Sequence, residues 1–262
     1  VTSSALHSAA IVDISTGATR WALVAVVVTS TAAAAVVNVV GSLGQAWAVL
    51  RAAGRAMVQL LVVALVIAAV LDSLPLTLAF LLLMVGVAGA TAARRLTEDR
   101  TGLWALLAVV AGATPAILLT LATGLVPLEG VALVPIGGIL IGGAMTATVL
   151  AGRRCLDALA RRHGEYEAAL SIGLAPREAA LLVARDDAAL ALVPGLDQTR
   201  TVGLVTLPGA FVGMLLGGAT AMEAAAVQLV VLVALLMVQS VAVLVVVELV
   251  ARGLLHERGA RR

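Results

Sequence analysis

Seven apolar stretches, each long enough or nearly long enough to cross a bilayer, run through this chain with mostly short polar links between them. They lie near Trp21–Val40, Ala56–Leu71, Leu76–Ala93, Leu103–Gly124, Val131–Ala151, Val202–Leu216 and Ala224–Val250. The hydrocarbon core of a membrane is crossed by about 20 residues of apolar helix. Lipid offers backbone groups no partners, so they must be satisfied within the helix itself. The second and sixth stretches are short. Gln45–Arg55 can extend the second as an interfacial helix, and Pro208 keeps a re-entrant segment open for the sixth. Of the 262 residues, 62% are hydrophobic and 12% charged, against roughly 25% charged in soluble domains. The expected fold is all-α: a polytopic transmembrane bundle of about seven spans, forming a single domain over residues 1–262.

The arginines orient the bundle. The chain has no lysine, and its 17 basic residues are all arginine. Arg51 and Arg55, Arg94 to Arg100, Arg153 to Arg200 and Arg252 to Arg262 fall in alternate loops on one side. Arg20 falls on the other, with Asp13, Asp72, Glu129 and Glu223. Cytoplasmic loops carry the excess of arginine and lysine, so the N-terminus is expected outside and the C-terminus in the cytoplasm. This alternation also requires the sixth stretch to cross. The small net charge of +2 is accounted for by topology rather than nucleic acid. The stretch Val1–Arg20 lacks the charged and apolar regions of a signal peptide. The expected location is the bacterial cytoplasmic membrane.

One loop is long, about residues 152–201. Arg153–Arg162 reads as a polar continuation of the fifth span, and Gly164 as a break. Glu165–Leu170 can form a short helix with acid in its first turn, which suits the helix dipole. Gly173 ends it, and Pro176 opens another helix through Ala189, where its missing N–H costs nothing. The segment Glu167-Ala168-Ala169-Leu170-Ser171-Ile172-Gly173 resembles the EAA-x-x-x-G signature of ABC permeases. In that family it forms a coupling helix that docks on an ATPase subunit. The family's downstream Leu-Pro is not matched: Val193-Pro194 lies too far along.

A wider resemblance rests on three blocks: Gly54-Arg55-Ala56-Met57-Val58-Gln59-Leu60; Val134-Pro135-Ile136-Gly137-Gly138 through Met145; and Ser171 to Pro176 through Arg185-Asp186, continuing to Thr201–Gly209. In order and spacing they resemble the FetB-type ABC permeases, which include plant permeases of aluminium tolerance. Gly143 stands where that family commonly has asparagine. The resemblance implies a homodimeric permease with a separate ATP-binding cassette subunit that carries ATP and magnesium, and no cofactor on this chain. It implies export of iron or another metal ion. Export of an organic solute such as a nucleotide sugar, or a membrane assembly or signalling role without transport, are the rivals. The residues singled out for ATPase coupling are Glu165, Glu167, Ala168, Ala169, Gly173 and Arg185.

The rest of the sequence narrows the chemistry. There is no G-x-x-x-x-G-K-[ST], so ATP hydrolysis belongs on a partner and this chain is read as a transport subunit, not an enzyme. H-E-x-x-H and G-x-S-x-G are also missing. His7, His163 and His256 lie outside the spans, and Cys155 is the one cysteine, so no metal site is assigned. Polar side chains inside spans face protein or a cavity. Gln59, Thr206 and Gln239 are candidates for a solute pathway or for hydrogen bonds between helices. Met145 and Met214 offer thioethers to a soft metal or simply pack. Gly137-Gly138 to Gly142-Gly143 permits close helix contact, as a dimer seam or within the chain. Pro115, Pro135 and Pro208 are the candidate hinges.

Overall fold

The structure is a computed structural model that describes residues 16–124 and 126–256. Asp13, His7 and the arginines beyond Arg252 lie outside the described residues. Among the described residues the chain is almost wholly helical, and its extended pairing is one bridge between Val202 and Thr206. Contacts group it into two units, the first ending at Ala69 and the second beginning at Val70.

The first unit holds α1 (Gly17–Val40) and most of α2 (Ala46–Leu71). Thr16 caps α1, its hydroxyl accepting from the Thr19 N–H at 3.3 Å. The turn between the helices uses Gly44 at φ +70°. Of the expected extension Gln45–Arg55, Ala46–Arg55 joins the second span as continuous helix, and Gln45 lies just before it. No residue of α1 is buried, although it is apolar throughout. Water would not tolerate that surface; lipid or a protein partner does.

The second unit contains α3 (Leu74–Leu96), a 3₁₀ turn at Arg100–Trp104, α4 (Ala105–Ala122) and α5 (Gly130–Arg161). It continues through α6 (His163–Ser171), α7 (Pro176–Ala189), a 3₁₀ turn at Leu190–Leu192, α8 (Val193–Thr201), α9 (Gly209–Leu216) and α10 (Ala221–Ala251). α10 packs on α4 and α5, and α3 closes the group against α4 and α5. The seam is made of small side chains: Ala92, Ala105, Ala108, Ala144, Ala151 and Ala242 are all fully buried. Lipid is as apolar as leucine, so helices in it associate by close packing, which small residues allow. At Gly112 a Cβ would fall 2.8 Å from the Val238 carbonyl oxygen. Gly137 and Gly138 lie against Leu81 and Met84 of α3, an intrachain contact, while Gly142 faces open space. Pro115 and Pro135 sit inside α4 and α5, which run through them.

Arginines collect at one end of this bundle. Arg153 Nε donates to the Arg95 carbonyl at 2.8 Å, and Arg177 and Arg252 both reach Glu248. α5 carries this end onward: it runs unbroken to Arg161, as its polar extension predicts. Gly164 does not break the chain. It falls in the first turn of α6.

Among the described residues, six helices are long and apolar enough to cross a membrane. The sixth expected span, Val202–Leu216, is corrected by the structure. It is a tight turn from Thr201 to Pro208 followed by α9, whose eight residues rise only about 12 Å. Gly203 adopts φ +80° and its N–H donates to the Thr206 carbonyl at 2.9 Å, which breaks any continuous helix. Pro208 is therefore the N-cap of α9 rather than a kink within a helix. In its place stands a discontinuous path along α10. α7 leaves the arginine-rich end beside Glu248, α8 begins against Gln239, and α9 packs on α10 before Gly217–Thr220 turns into its N-terminus. The segment from Pro176 to Leu216 thus runs antiparallel to α10 in pieces.

Candidate functional site

The short helix α6 is held between two long ones. Glu165, Glu167 and Ala168 are exposed on it, and Ala169 is buried. Its C-terminus closes on Gly173, at φ +94°: the Gly173 N–H donates to the Leu170 carbonyl at 2.9 Å and the Leu174 N–H to the Ala169 carbonyl at 3.1 Å. A left-handed residue at this position satisfies the last carbonyls, and glycine takes it without steric cost. Pro176 then starts α7, and Glu178 accepts from the Ala175 N–H at 3.1 Å. Arg185 is exposed on α7. Sequence analysis places this helix–turn–helix closely because Gly173 and Pro176 dictate it.

Two ionic struts tie this projection to the bundle. Arg162, at the junction of α5 and α6, donates to the Val183 carbonyl and the Asp187 carboxylate of α7. Arg177 at the start of α7 donates to Glu248 of α10 through Nε at 2.6 Å and Nη2 at 2.9 Å. Such a two-pronged fork fixes direction as well as distance. Arg252 Nε meets the same carboxylate at 2.6 Å. The bond to Glu248 and then its charge raise the Arg177 guanidinium above its ordinary value. α7 also packs along α5 and α10, burying Ala180, Val183, Ala184 and Ala188. α6 is therefore joined to α5 directly and to α10 through α7.

The pathway candidates lie on different elements. Gln59 is an exposed residue of α2 in the first unit. Met145 is half-buried against the core of the second, Met214 is half-buried on α9, and Thr206 is exposed in the turn before it. Gln239 is the informative one. Its carboxamide touches Gly195 of α8, and its Nε2 would lie 3.9 Å from a Cβ at Gly143. Its Oε1 is buried with no hydrogen-bond partner. An acceptor left so costs roughly 1–3 kcal/mol. Gln239→Leu is accordingly expected to raise thermal stability in detergent by about 1 kcal/mol; a fall would mean that the carboxamide is answered.

Sequence reasoning missed Arg162, Arg177, Glu248, Gly195 and the pair Asp197–Arg200. The four-residue spacing of Glu248 and Arg252 was a readable signal. The contact of Arg177 with Glu248, 71 residues away, was not. Among the described residues no three of His, Cys, Asp and Glu come together as a metal site.

The profile of the Uncharacterised protein family (UPF0014) matches residues 20–255. The chain is a member of the UPF0014 family. Its relatives include "Protein ALUMINUM SENSITIVE 3" of Arabidopsis thaliana, 37% identical over 58% of this chain and 56% of that protein. "UPF0014 membrane protein STAR2" of Oryza sativa subsp. japonica is 35% identical over 58% and 53%. "Probable iron export permease protein FetB" of Escherichia coli is 27% identical over 80% and 82%. The chain thus spans little more than half the length of the two plant relatives. No solved structure matches it. This UPF0014 member is a multi-pass α-helical membrane protein.

Proposed function

We propose that the chain is the permease subunit of an ATP-driven transporter, paired as a homodimer and driven by a separate ATP-binding cassette subunit. The observation that carries this reading is α6: a short exposed helix joined by Gly173 and by ionic struts to two helices that cross the bundle. The small exposed residue Ala168 allows close approach of a partner, and Glu165 and Glu167 give it orientation. Closure of two ATPase subunits would displace α6, and α5 and α10 would follow as levers. ATP and magnesium belong to the ATPase. The arginine-rich end faces the cytoplasm, by the excess of positive charge, and the membrane is the bacterial cytoplasmic membrane.

The direction is export, and the cargo is a metal ion such as iron. Support comes from the relative named for iron export, and the plant relative named for aluminium sensitivity is in keeping with it.

The test is Gly173→Val. A β-branched residue is strained at φ +94°, by roughly 1–2 kcal/mol, so the α6–α7 turn shifts while the bundle stays folded. In reconstituted vesicles containing the ATPase, ATP hydrolysis is expected to continue while metal efflux is lost. Unchanged efflux would remove this turn from the coupling.

A further inference from the structure

The discontinuous passage puts charge where a lipid-facing helix has none. α8 carries Asp197, Gln198 and Arg200, and Arg200 Nη1 meets Asp197 Oδ1 at 3.4 Å with both side chains mostly exposed. Its depth is set from both directions. Gly195 rests on Gln239, nine residues along α10 from Glu248, which is about 13 Å inward from the arginine-rich surface at 1.5 Å per residue. On the far side, α9 packs on α10 and turns into its N-terminus. The segment from Asp197 to Leu207 is bracketed between these points, near the middle of a bilayer core of about 30 Å.

Neither lipid nor a surface loop fits that segment. Its backbone is non-helical from Val202 to Pro208, and Asp197 and Arg200 stand exposed on the helix before it. Non-helical backbone at membrane depth persists only where protein covers it or where it borders water. Charged side chains inside a membrane likewise face a cavity or a protein interior. Broken helices at mid-depth are also how solute sites are built in other transporters.

We propose that α8 forms one wall of a narrow water-filled passage for a charged hydrophilic solute, with Asp197 and Arg200 as the groups that meet it. This deepens the transport reading and rests on it. Asp197 and Arg200 balance each other while the passage is empty. An arriving ion competes for one of them and is not trapped by an unopposed charge.

The experiment uses single cysteines in the full chain in membrane vesicles without nucleotide, on a Cys155→Ala background. Only a thiolate in water reacts quickly with a charged thiol reagent. Gln198→Cys is compared with Leu182→Cys, exposed on α7, and Val233→Cys, exposed on the apolar face of α10. Two reagents are used, a small methanethiosulfonate ammonium and a polyethylene-glycol maleimide too bulky for a narrow passage. Gln198→Cys is expected to react with the small reagent and not with the bulky one. Leu182→Cys reacts with both, and Val233→Cys with neither. Gln198→Cys behaving like Val233→Cys would place α8 in lipid, and behaving like Leu182→Cys would place it in an open loop; either overturns the proposal. Should Cys155→Ala not fold, the set is made with Cys155 retained, since it is buried, and reactivity is read above the parent. An absent ATPase leaves this labelling pattern as it is, so failure of the coupling reading shows separately.

Discussion

Gly112→Leu is expected to abolish the accumulation of folded protein in the membrane. A Cβ at Gly112 falls 2.8 Å from the Val238 carbonyl oxygen and 3.2 Å from the Ala242 Cβ. These are backbone and near-backbone atoms of α10, with no flexible side chain to swing aside. The crossing of α4 and α10 must open, and that crossing is made of buried Ala108, Val109, Ala113 and Val238. Overpacking of a tight core costs about 1–3 kcal/mol or more, and separating the helices also strips their van der Waals contacts, which hold a bundle together in lipid. Gly142→Leu is the control, because nothing lies within 4 Å of a Cβ there. Yield of monodisperse protein after detergent extraction reads the result. Equal yields of the two variants would mean that α4 and α10 do not cross at Gly112.

The second large effect is expected from Glu248→Ala. That carboxylate is the shared acceptor of Arg177 and Arg252, and it is the side-chain link by which α7 is tied to α10. The arginines are half-exposed, so solvent screens the loss of global stability. The consequence is local: the start of α7 loosens, and displacement of α6 no longer reaches α10. Trypsin is expected to cut at Arg177 and Arg185 much sooner than in the unaltered chain, and transport is expected to fall by more than total stability does. Glu248→Asp, which keeps the charge, should restore part of the protection. Equal cleavage rates in Glu248→Ala and the unaltered chain would show that apolar packing alone seats α7.

The elements that the sequence revealed were those governed by local rules. Length and hydropathy gave α1 to α5 and α10, because a span needs only a continuous apolar run. Gly173 and Pro176 gave the α6–α7 turn, because each fixes its own backbone. Val202–Leu216 misled because its composition is that of a span, while Gly203 and the pair Pro208-Gly209 break it. A hydropathy reading weighs the apolar run and undervalues the breakers. Asp197 and Arg200 were assigned to the cytoplasmic loop for the same reason that loops are usually found: charge marks water. The depth proposed for them rests on Gly195 meeting Gln239, 44 residues further on, and no local pattern contains that contact. Gln239 itself was legible as an intramembrane amide. What it touches was not, because glycine reports on its neighbours only once the helices are packed.

The central claim is that α6 couples this UPF0014 member to an ATPase. It is tested most directly by affinity purification of the tagged full-length chain from detergent-solubilised membranes, beside the double variant Glu167→Ala, Gly173→Val. The account predicts a P-loop ATPase in stoichiometric amount with the unaltered chain, ATP hydrolysis in the eluate, and loss of both with the variant while its helical content is unchanged. Recovery of the unaltered chain with no ATPase bound would contradict it.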